Sequence, residues 1–264
     1  MDTLSTLALT WRIERRDGVA AGLTSHDRDL AIDGFTYRAA PGMTPSAIRR
    51  SADLDADTMD VSGALGGAAI AEADLLAGRW DGARVVVRAV DWDTGAVIAE
   101  LGEGRIGQVE LRDGAFTAEL AGIAALLDRP VCEATSPECR AELGDARCRV
   151  AMAGRRRFAR VVAGDDTLVT VDADEPLANA YGNGLLRWIG GGNSGLESAV
   201  AASDGATLTL RAPPRFDPVG ALVELIEGCD KRISTCQARF ANAANFRGEP
   251  YLPGIDLLTR YPGA

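Results

Sequence analysis

The cysteines are the residues of this sequence whose type and spacing point most directly to chemistry. Cys132, Cys139 and Cys148 lie in one short stretch, and Cys229 and Cys236 lie in a second stretch about 80 residues further along the chain. Both stretches are polar and rich in arginine. Cysteine thiolates bind zinc and iron–sulfur clusters. We therefore expect the two stretches to close on one metal site.

The spacing of these cysteines favours a cluster over a single zinc ion. Structural zinc sites usually contain a C-x2–4-C pair, because one tight turn then provides two ligands. Here six residues separate Cys132 from Cys139 and also Cys229 from Cys236, and eight separate Cys139 from Cys148. Each thiolate would come from its own loop, which suits the wider cage of a 4Fe–4S cluster. Zinc is the alternative metal.

Five cysteines leave one without a place in a four-ligand site, and spacing alone does not decide which. The more symmetric set takes two ligands from each stretch and consists of Cys139, Cys148, Cys229 and Cys236. Cys132 follows a predicted helix, outside the polar loop that carries its neighbours. Buried, inert cysteines and a disulfide pair are the remaining interpretations.

Basic residues flank the cysteines on both stretches. They are Arg140, Arg147, Arg149, Lys231 and Arg232. Positive neighbours favour the ionised thiol and offset the charge of four thiolates around iron and sulfide. We therefore expect these residues to lower the pKa values of the thiols.

Composition narrows the classes of function. The 264-residue chain has a net charge of −10 and a single histidine, His26. The negative charge argues against a general nucleic-acid binder, which needs a basic stripe, and one histidine excludes multi-histidine metal sites. No apolar run reaches membrane-spanning length and no signal sequence opens the chain. We expect a protein made in a bacterial cytoplasm without stable membrane insertion.

Most of the chain consists of strand patterns separated by turn residues, which predicts a mainly β protein. We expect two tandem β-barrel or sandwich-like domains and a small cysteine-rich C-terminal lobe. Residues 1–130 would form the first domain, with seven or eight strands. Residues 131–264 would form the second, with its lobe assembled from residues 131–154 and 228–264.

Turn and helix signals give more local expectations. Asp17-Gly18 and Asp33-Gly34 predict tight turns, and the strands around them predict an early β-meander. Residues 70–78 predict a short helix that ends at a glycine.

Three other stretches contain residue types found at functional sites, yet each favours a structural role. His26 is expected in the hydrogen-bond network of a turn. The acidic stretch from Asp53 to Asp60 lacks the glycine and glutamate of a calcium loop and predicts a solvated edge strand. Residues 190–195 are rich in glycine without the lysine of a P-loop, which predicts a flexible loop.

Nearly the whole chain also resembles a known family. The strings that carry the resemblance are WRIERRDGVAAGLTSHDRDLAIDGFTYRAA, CRAELGDARC and GCDKRISTCQARFANAANFRGEPYLPG. They are similar to a family of tailed-phage proteins first catalogued as conserved phage hypotheticals. The family includes the baseplate hub component of the gene transfer agents of alphaproteobacteria. The last string, from Gly228 to Gly254, is the most specific.

The resemblance implies a structural function. Such hub proteins are similar to the tail tip protein of lambda-like phages, and their tandem β-barrels form a homotrimer with a pseudo-sixfold ring. The ring lies between a distal tail ring above and a tip or fibre-bearing protein below, and DNA passes through its lumen without specific binding. The C-terminal region of the family carries a 4Fe–4S cluster. On this sequence the ligands would be Cys139, Cys148, Cys229 and Cys236.

Other classes of function stay open at this point. An iron–sulfur electron-transfer protein would use the same cluster, but no flavin or nicotinamide fingerprint accompanies the cysteines. A zinc-stapled structural protein would use the same thiols. A cysteine-dependent hydrolase would need a histidine partner, which only His26 can provide. We expect a non-enzymatic structural protein of a phage-like particle.

Overall fold

The computed structural model describes residues 6–39, 44–45, 58–64, 70–112, 115–121 and 132–252. The chain divides into two compact units, residues 1–130 and residues 131–264. Both units are built mainly from strands, which confirms the predicted mainly β fold class. None of the helices in the described ranges has the length and apolar content needed to cross a membrane.

The described part of the first unit contains nine strands in one sheet and one short helix. The strands are β1 (Leu7–Glu14), β2 (Ala20–Thr24), β3 (Leu30–Ile32), β4 (Phe35–Ala39), β5 (Thr44–Pro45), β6 (Thr58–Ala64), β7 (Arg84–Asp91), β8 (Val97–Arg112) and β9 (Ala115–Ala121). Their order in the sheet is β3-β4-β2-β1-β7-β8-β9-β6-β5. Helix α1 (Glu72–Leu76) lies between β6 and β7 in the sequence.

The core of this unit is aromatic and β-branched. Trp11 on β1 is fully buried and packs in one cluster with Trp80 and with the valines of β7. Alternating burial along β1 and longer buried runs along β7 match strands at the centre of a sheet. Packing of apolar side chains therefore stabilises this unit.

The predicted β-meander is wrong, although its strands and turns are present. Asp33 and Gly34 have positive φ angles of 52° and 74° and join β3 to β4 as expected. In a meander β3 would pair with β2, whereas β4 lies parallel to β2 instead. Gly22 permits this close approach, because a Cβ atom there would lie 2.7 Å from Thr36 O. Local alternation predicts a strand but not its neighbour.

Other local predictions for this unit have mixed outcomes. The helix predicted at residues 70–78 is present as α1, and Gly78 follows it with a φ of 77°. Strand β6 is not an edge strand, since it pairs with β9 and with the two-residue β5. Asp53, Asp55 and Asp57 lie outside the described residues.

The second unit contains a closed barrel of six strands. They are β10 (Arg156–Asp165), β11 (Leu168–Val171), β12 (Leu185–Trp188), β13 (Glu197–Asp204), β14 (Thr207–Leu210) and β15 (Leu222–Ile226). The order around the barrel is β10-β11-β14-β13-β12-β15, with antiparallel neighbours. Its interior holds Trp188 and the valines and leucines of the strands. Helix α2 (Ile233–Phe240) follows β15.

The glycine-rich residues 190–195 are not the flexible loop that we expected. Asn193 is fully buried in this loop between β12 and β13. Its side chain donates to Phe216 O at 2.8 Å and accepts from Phe216 N at 3.0 Å. One buried side chain thus fixes the loop to the segment before β15.

Candidate metal centre

Four of the five cysteines line one cavity in the second unit. Cys139 and Cys148 come from the loops before β10, Cys229 follows β15, and Cys236 lies in the middle of α2. The apolar wall residues of this cysteine cavity are Ala141, Leu143, Val150, Phe240 and Phe246. Cys132 is exposed and does not line the cavity. The chain thus brings together two stretches that are remote in sequence.

Backbone hydrogen bonds hold the two stretches against each other. Cys139 N donates to Lys231 O at 2.9 Å, and Arg140 N donates to Arg247 O at 2.9 Å. Each bond joins residues about 90 or more positions apart in the chain. Closing a loop of this length costs conformational entropy, which tertiary contacts must offset. The cavity therefore depends on the folded second unit.

Residues 246–250, here called the C-terminal strap, cover the Cys139 loop. Glu249 N donates to Ser136 O at 2.7 Å, and the Glu249 carboxylate accepts Ser136 N at 2.9 Å. The Arg140 guanidinium donates twice to the same carboxylate, at 2.7 and 2.9 Å. These bonds from Arg140 are the main cause that lowers the pKa of Glu249 to about 2.

The loop that delivers Cys148 is organised by one carboxylate. Asp145 accepts backbone N–H groups from Cys148 at 2.6 Å, Arg147 at 2.8 Å and Glu142 at 2.9 Å. The bond from the Cys148 amide is the largest cause of a lowered pKa for Asp145. An aspartate side chain that accepts hydrogen bonds from nearby backbone amides forms a local turn. This turn fixes the position of the Cys148 backbone.

Three of the four sulfurs have a nitrogen donor nearby. The pairs are Lys231 N to Cys229 Sγ at 3.4 Å, Arg247 N to Cys139 Sγ at 3.3 Å and Asn242 Nδ2 to Cys148 Sγ at 3.7 Å. N–H groups directed at sulfur stabilise the thiolate form that binds metals. The arrangement has the donor pattern of a thiolate site.

The expectation of lowered thiol pKa values is wrong for two of the cysteines. Burial is the main cause that raises the pKa of both Cys229 and Cys236. For Cys236 the neighbouring thiols raise it further. A buried thiol without a counter-charge resists ionisation, so an electrophilic partner such as a metal would have to displace its proton.

The flanking basic residues do not overcome this effect. The amide and the charge of Lys231 lower the pKa of Cys229, but burial has the larger influence. Three of the basic residues pair with carboxylates. Arg147 forms an ion pair with Glu133, and Arg140 bonds Glu249 as described above. Lys231 Nζ lies 2.9 Å from Glu142 Oε2. The sequence places the positive charges correctly near the cysteines, but the tertiary structure directs them elsewhere.

A buried carboxylate connects α2 to the end of the barrel. Glu227 is 6% exposed and accepts from Arg155 Nη1 and Arg239 Nη2, both at 2.7 Å. Both guanidinium groups also lie over the ring of Phe240, at 5.0 and 4.8 Å. Because Phe240 lines the cavity, this network joins the site to the barrel.

Gly228 explains how the chain enters the site between Glu227 and Cys229. A Cβ atom at Gly228 would lie 2.1 Å from Gly182 O and 2.2 Å from Gly184 N. Only glycine permits this approach without movement of the backbone. The contact fixes the exit of β15 and hence the position of Cys229.

Several residues of the site carry no signal of their own in the sequence. Asn242, Glu227 and Phe240 contact the cysteines or their supporting elements, yet none carries a thiol or belongs to a metal-ligand motif. Phe240 and Asn242 belong to the most specific string of the resemblance, and Glu227 directly precedes it. Within the described ranges, no three histidine, cysteine, aspartate or glutamate side chains are grouped closely enough to hold a single metal ion.

The single histidine takes the structural role that we expected. His26 Nδ1 accepts the Arg28 amide at 3.1 Å, and its ring lies 5.0 Å from that of Trp92. Both contacts belong to a turn of the first unit.

Comparison with known proteins identifies the family. A family described as "Baseplate hub protein, N-terminal attachment domain" matches residues 2–151, more than half of the chain. A second, described as a phage conserved hypothetical protein, matches residues 179–256. No curated protein matches.

A solved structure, the virion of a native gene transfer agent particle, contains a similar chain with 37% identity and a TM-score of 0.86. The match covers 97% of this chain and 91% of that one. The chain therefore belongs to the baseplate hub protein family and is a structural component of a phage-like virion.

Proposed function

We propose that the chain forms a trimeric hub ring at the tail end of a phage-like particle and that a 4Fe–4S cluster staples its second unit. Cys139, Cys148, Cys229 and Cys236 would hold the cluster. The observation that carries the proposal is that these four cysteines, from two remote stretches, line one cavity. Cys132 would take no part in it.

The residues present fit such a group. Four thiols share a cavity whose other walls are mainly apolar, and N–H groups lie near three of the sulfurs. Thiolates, N–H···S bonds and a shielded setting are the features by which proteins hold iron–sulfur clusters. When bound, the cluster would supply metal–thiolate bonds that cross-link the two stretches. Cys139 and Cys148 would anchor one stretch, and Cys229 and Cys236 the other.

The arrangement of the thiols favours a cluster over a single zinc ion. Zinc needs its sulfur ligands about 2.3 Å from one point. The four cysteines share a cavity, and no C-x2–4-C pair supplies two of the ligands from one turn. Thiols that come from separate positions in the chain suit a group of several atoms.

The family and the virion match support the proposed ring. A hub at the end of a tail contacts other tail proteins, and we infer a distal ring above it and a tip or fibre-bearing protein below it.

The net charge of the chain supports a role as a conduit for DNA. The first unit has 13 basic and 21 acidic residues, a net charge of −8, whereas the second has 15 and 17, a net charge of −2. A net negative charge repels phosphate and would let DNA slide past without binding.

The decisive measurement is the iron and acid-labile sulfide content of the full-length protein purified without oxygen. We expect about four of each per chain, and loss of both in Cys139→Ser and Cys236→Ser. Cys132→Ser is the matched control and should keep them. Zinc in place of iron, or full iron content in the Cys236→Ser protein, would contradict the cluster.

The ring needs a separate measurement. Mass photometry of the wild-type protein and electron microscopy of particles should show trimers. A strict monomer in assembled particles would contradict the ring, whatever the metal content. Removal of iron should weaken the trimer, because the cluster would have a structural and not a catalytic role.

A further inference from the structure

We propose that Asn242 is the positioning residue of the cysteine cavity: it joins the Cys148 loop to helix α2 and gives a side-chain N–H group to the Cys148 sulfur. The inference rests on the proposed function, because a role in holding a cluster presupposes that the thiols bind one.

The backbone and the side chain of Asn242 contact different ligands. Its N–H group donates to Cys236 O at 3.0 Å, and its Nδ2 donates to Cys148 O at 2.6 Å. The same Nδ2 lies 3.7 Å from Cys148 Sγ. Asn242 and Cys148 are 94 positions apart in the chain. One residue therefore fixes the distance between a ligand of the first stretch and a ligand of the second.

Neighbouring residues orient the Asn242 amide. Helix α2 ends at Phe240. The left-handed φ of 48° at Ala241 then turns the chain, and Asn242 lines the cavity. Asn245 Nδ2 then donates to Asn242 Oδ1 at 2.7 Å, which leaves the Asn242 NH2 group for Cys148. A left-handed alanine is uncommon in folded proteins, and here it sets the direction of a functional side chain.

The chemistry explains why asparagine suits this position. Its amide supplies N–H donors on a short arm, whereas aspartate of the same size supplies only acceptors and adds a negative charge beside the thiols. Alanine removes the arm altogether. Bonds to the sulfur ligands support metal affinity and set the reduction potential of a cluster, so both properties should respond to this one amide.

The test uses full-length Asn242→Ala and Asn242→Asp, with Gln237→Ala, an exposed amide on α2, as the matched control. After reconstitution with iron and sulfide, both Asn242 variants should lose iron to a chelator about 10 to 100 times faster than the control. Their reduction potentials should fall, because loss of the N–H donor destabilises the more negative reduced cluster. A packing role alone would not lower the potential of Asn242→Ala, which loses the donor without adding a charge.

A second readout does not need a cluster. In the reduced metal-free protein, iodoacetamide should alkylate Cys148 faster relative to Cys229 in Asn242→Ala than in the Gln237→Ala control, as measured on peptides by mass spectrometry. If wild-type protein binds no iron, the proposed cluster fails, while this ratio still tests Asn242. The inference would be overturned if the Asn242 variants lost iron at the rate of the Gln237→Ala control and also kept the wild-type reduction potential and alkylation ratio. If Asn242→Ala does not fold, Asn242→Leu retains the side-chain volume without a donor or a charge and decides the question.

Discussion

The barrel of the second unit and the cysteine lobe that continues from it are stabilised by different means. The barrel, residues 156–226, gathers fourteen buried apolar side chains into one cluster. In the lobe, residues 132–155 and 227–252, the buried apolar side chains are Ala141, Cys148 and Cys236. Two of these three are thiols that line the cavity. A region with so little apolar core needs another source of stability.

Polar contacts alone do not supply that stability. The lobe contains ion pairs of Arg140, Arg147 and Lys231 with carboxylates. Such partly exposed pairs typically contribute less than about 1 kcal/mol each. A bound metal group contributes its binding free energy directly to folding. Within one unit, packing of apolar side chains stabilises the barrel, whereas the polar lobe brings four thiols together in one cavity.

The largest effect that we expect comes from the barrel core. Trp188 is 1% exposed, and its Nε1 donates to Ser198 Oγ at 2.9 Å. Trp188→Ala leaves a cavity and an unpaired hydroxyl, and it should lower the free energy of unfolding by about 3–5 kcal/mol. This loss can be measured by denaturant unfolding, with hydrogen exchange of the barrel-strand amides as the probe of the second unit.

The control for this change is Phe158→Ala, because the Phe158 side chain is exposed on β10 of the same barrel. That substitution should change the free energy of unfolding by less than about 1 kcal/mol. The comparison between barrel and lobe breaks down if removal of iron destabilises the barrel as much as Trp188→Ala does.

The second prediction concerns the connection between barrel and lobe. Glu227→Ala leaves the guanidinium groups of Arg155 and Arg239 without their shared carboxylate. Because Glu227 is buried, we expect a loss of about 3 kcal/mol. Amides of α2 should exchange faster while those of the barrel strands keep their protection. The matched control is Glu197→Ala, which removes a half-exposed pair with Arg187 on the barrel surface and should cost less than about 1 kcal/mol. Equal effects of the two substitutions would contradict a special role for Glu227.

The smallest expected effect is a pH dependence of the C-terminal strap. Bonds from Arg140 lower the pKa of Glu249 from 4.5 to about 2. A lowered pKa means that the contact contributes fully above pH 4.5 and is lost as the pH falls from there towards 2. The Glu249 amide, which donates to Ser136 O, should lose protection from hydrogen exchange over this window.

Glu249→Gln is the control for the strap, since its amide does not titrate. Glu133 and Asp145 also have lowered pKa values in the lobe, so the difference between wild type and Glu249→Gln isolates the strap. An identical pH profile for both proteins would remove Glu249 as its cause.

Much of the local structure was predictable from the sequence, because turns and alternation are local properties. Asp33-Gly34 and Asp204-Gly205 each join two strands, as such pairs do when positive φ angles are needed. The parallel neighbour of β2 was not predictable, since it depends on a close approach at Gly22 that no local pattern reveals. The loop at Asn193 was also misjudged, because one buried amide outweighs the tendency of glycine towards flexibility.

By itself the sequence determined that five thiols are available in two polar stretches and that basic residues flank them. Only the tertiary structure decided what those neighbours do. Arg140 and Lys231 turn to carboxylates, and burial then raises the pKa values of Cys229 and Cys236. The physical reason is that composition fixes which charges exist, whereas their effect depends on distance and on exclusion of water, which only the folded chain sets.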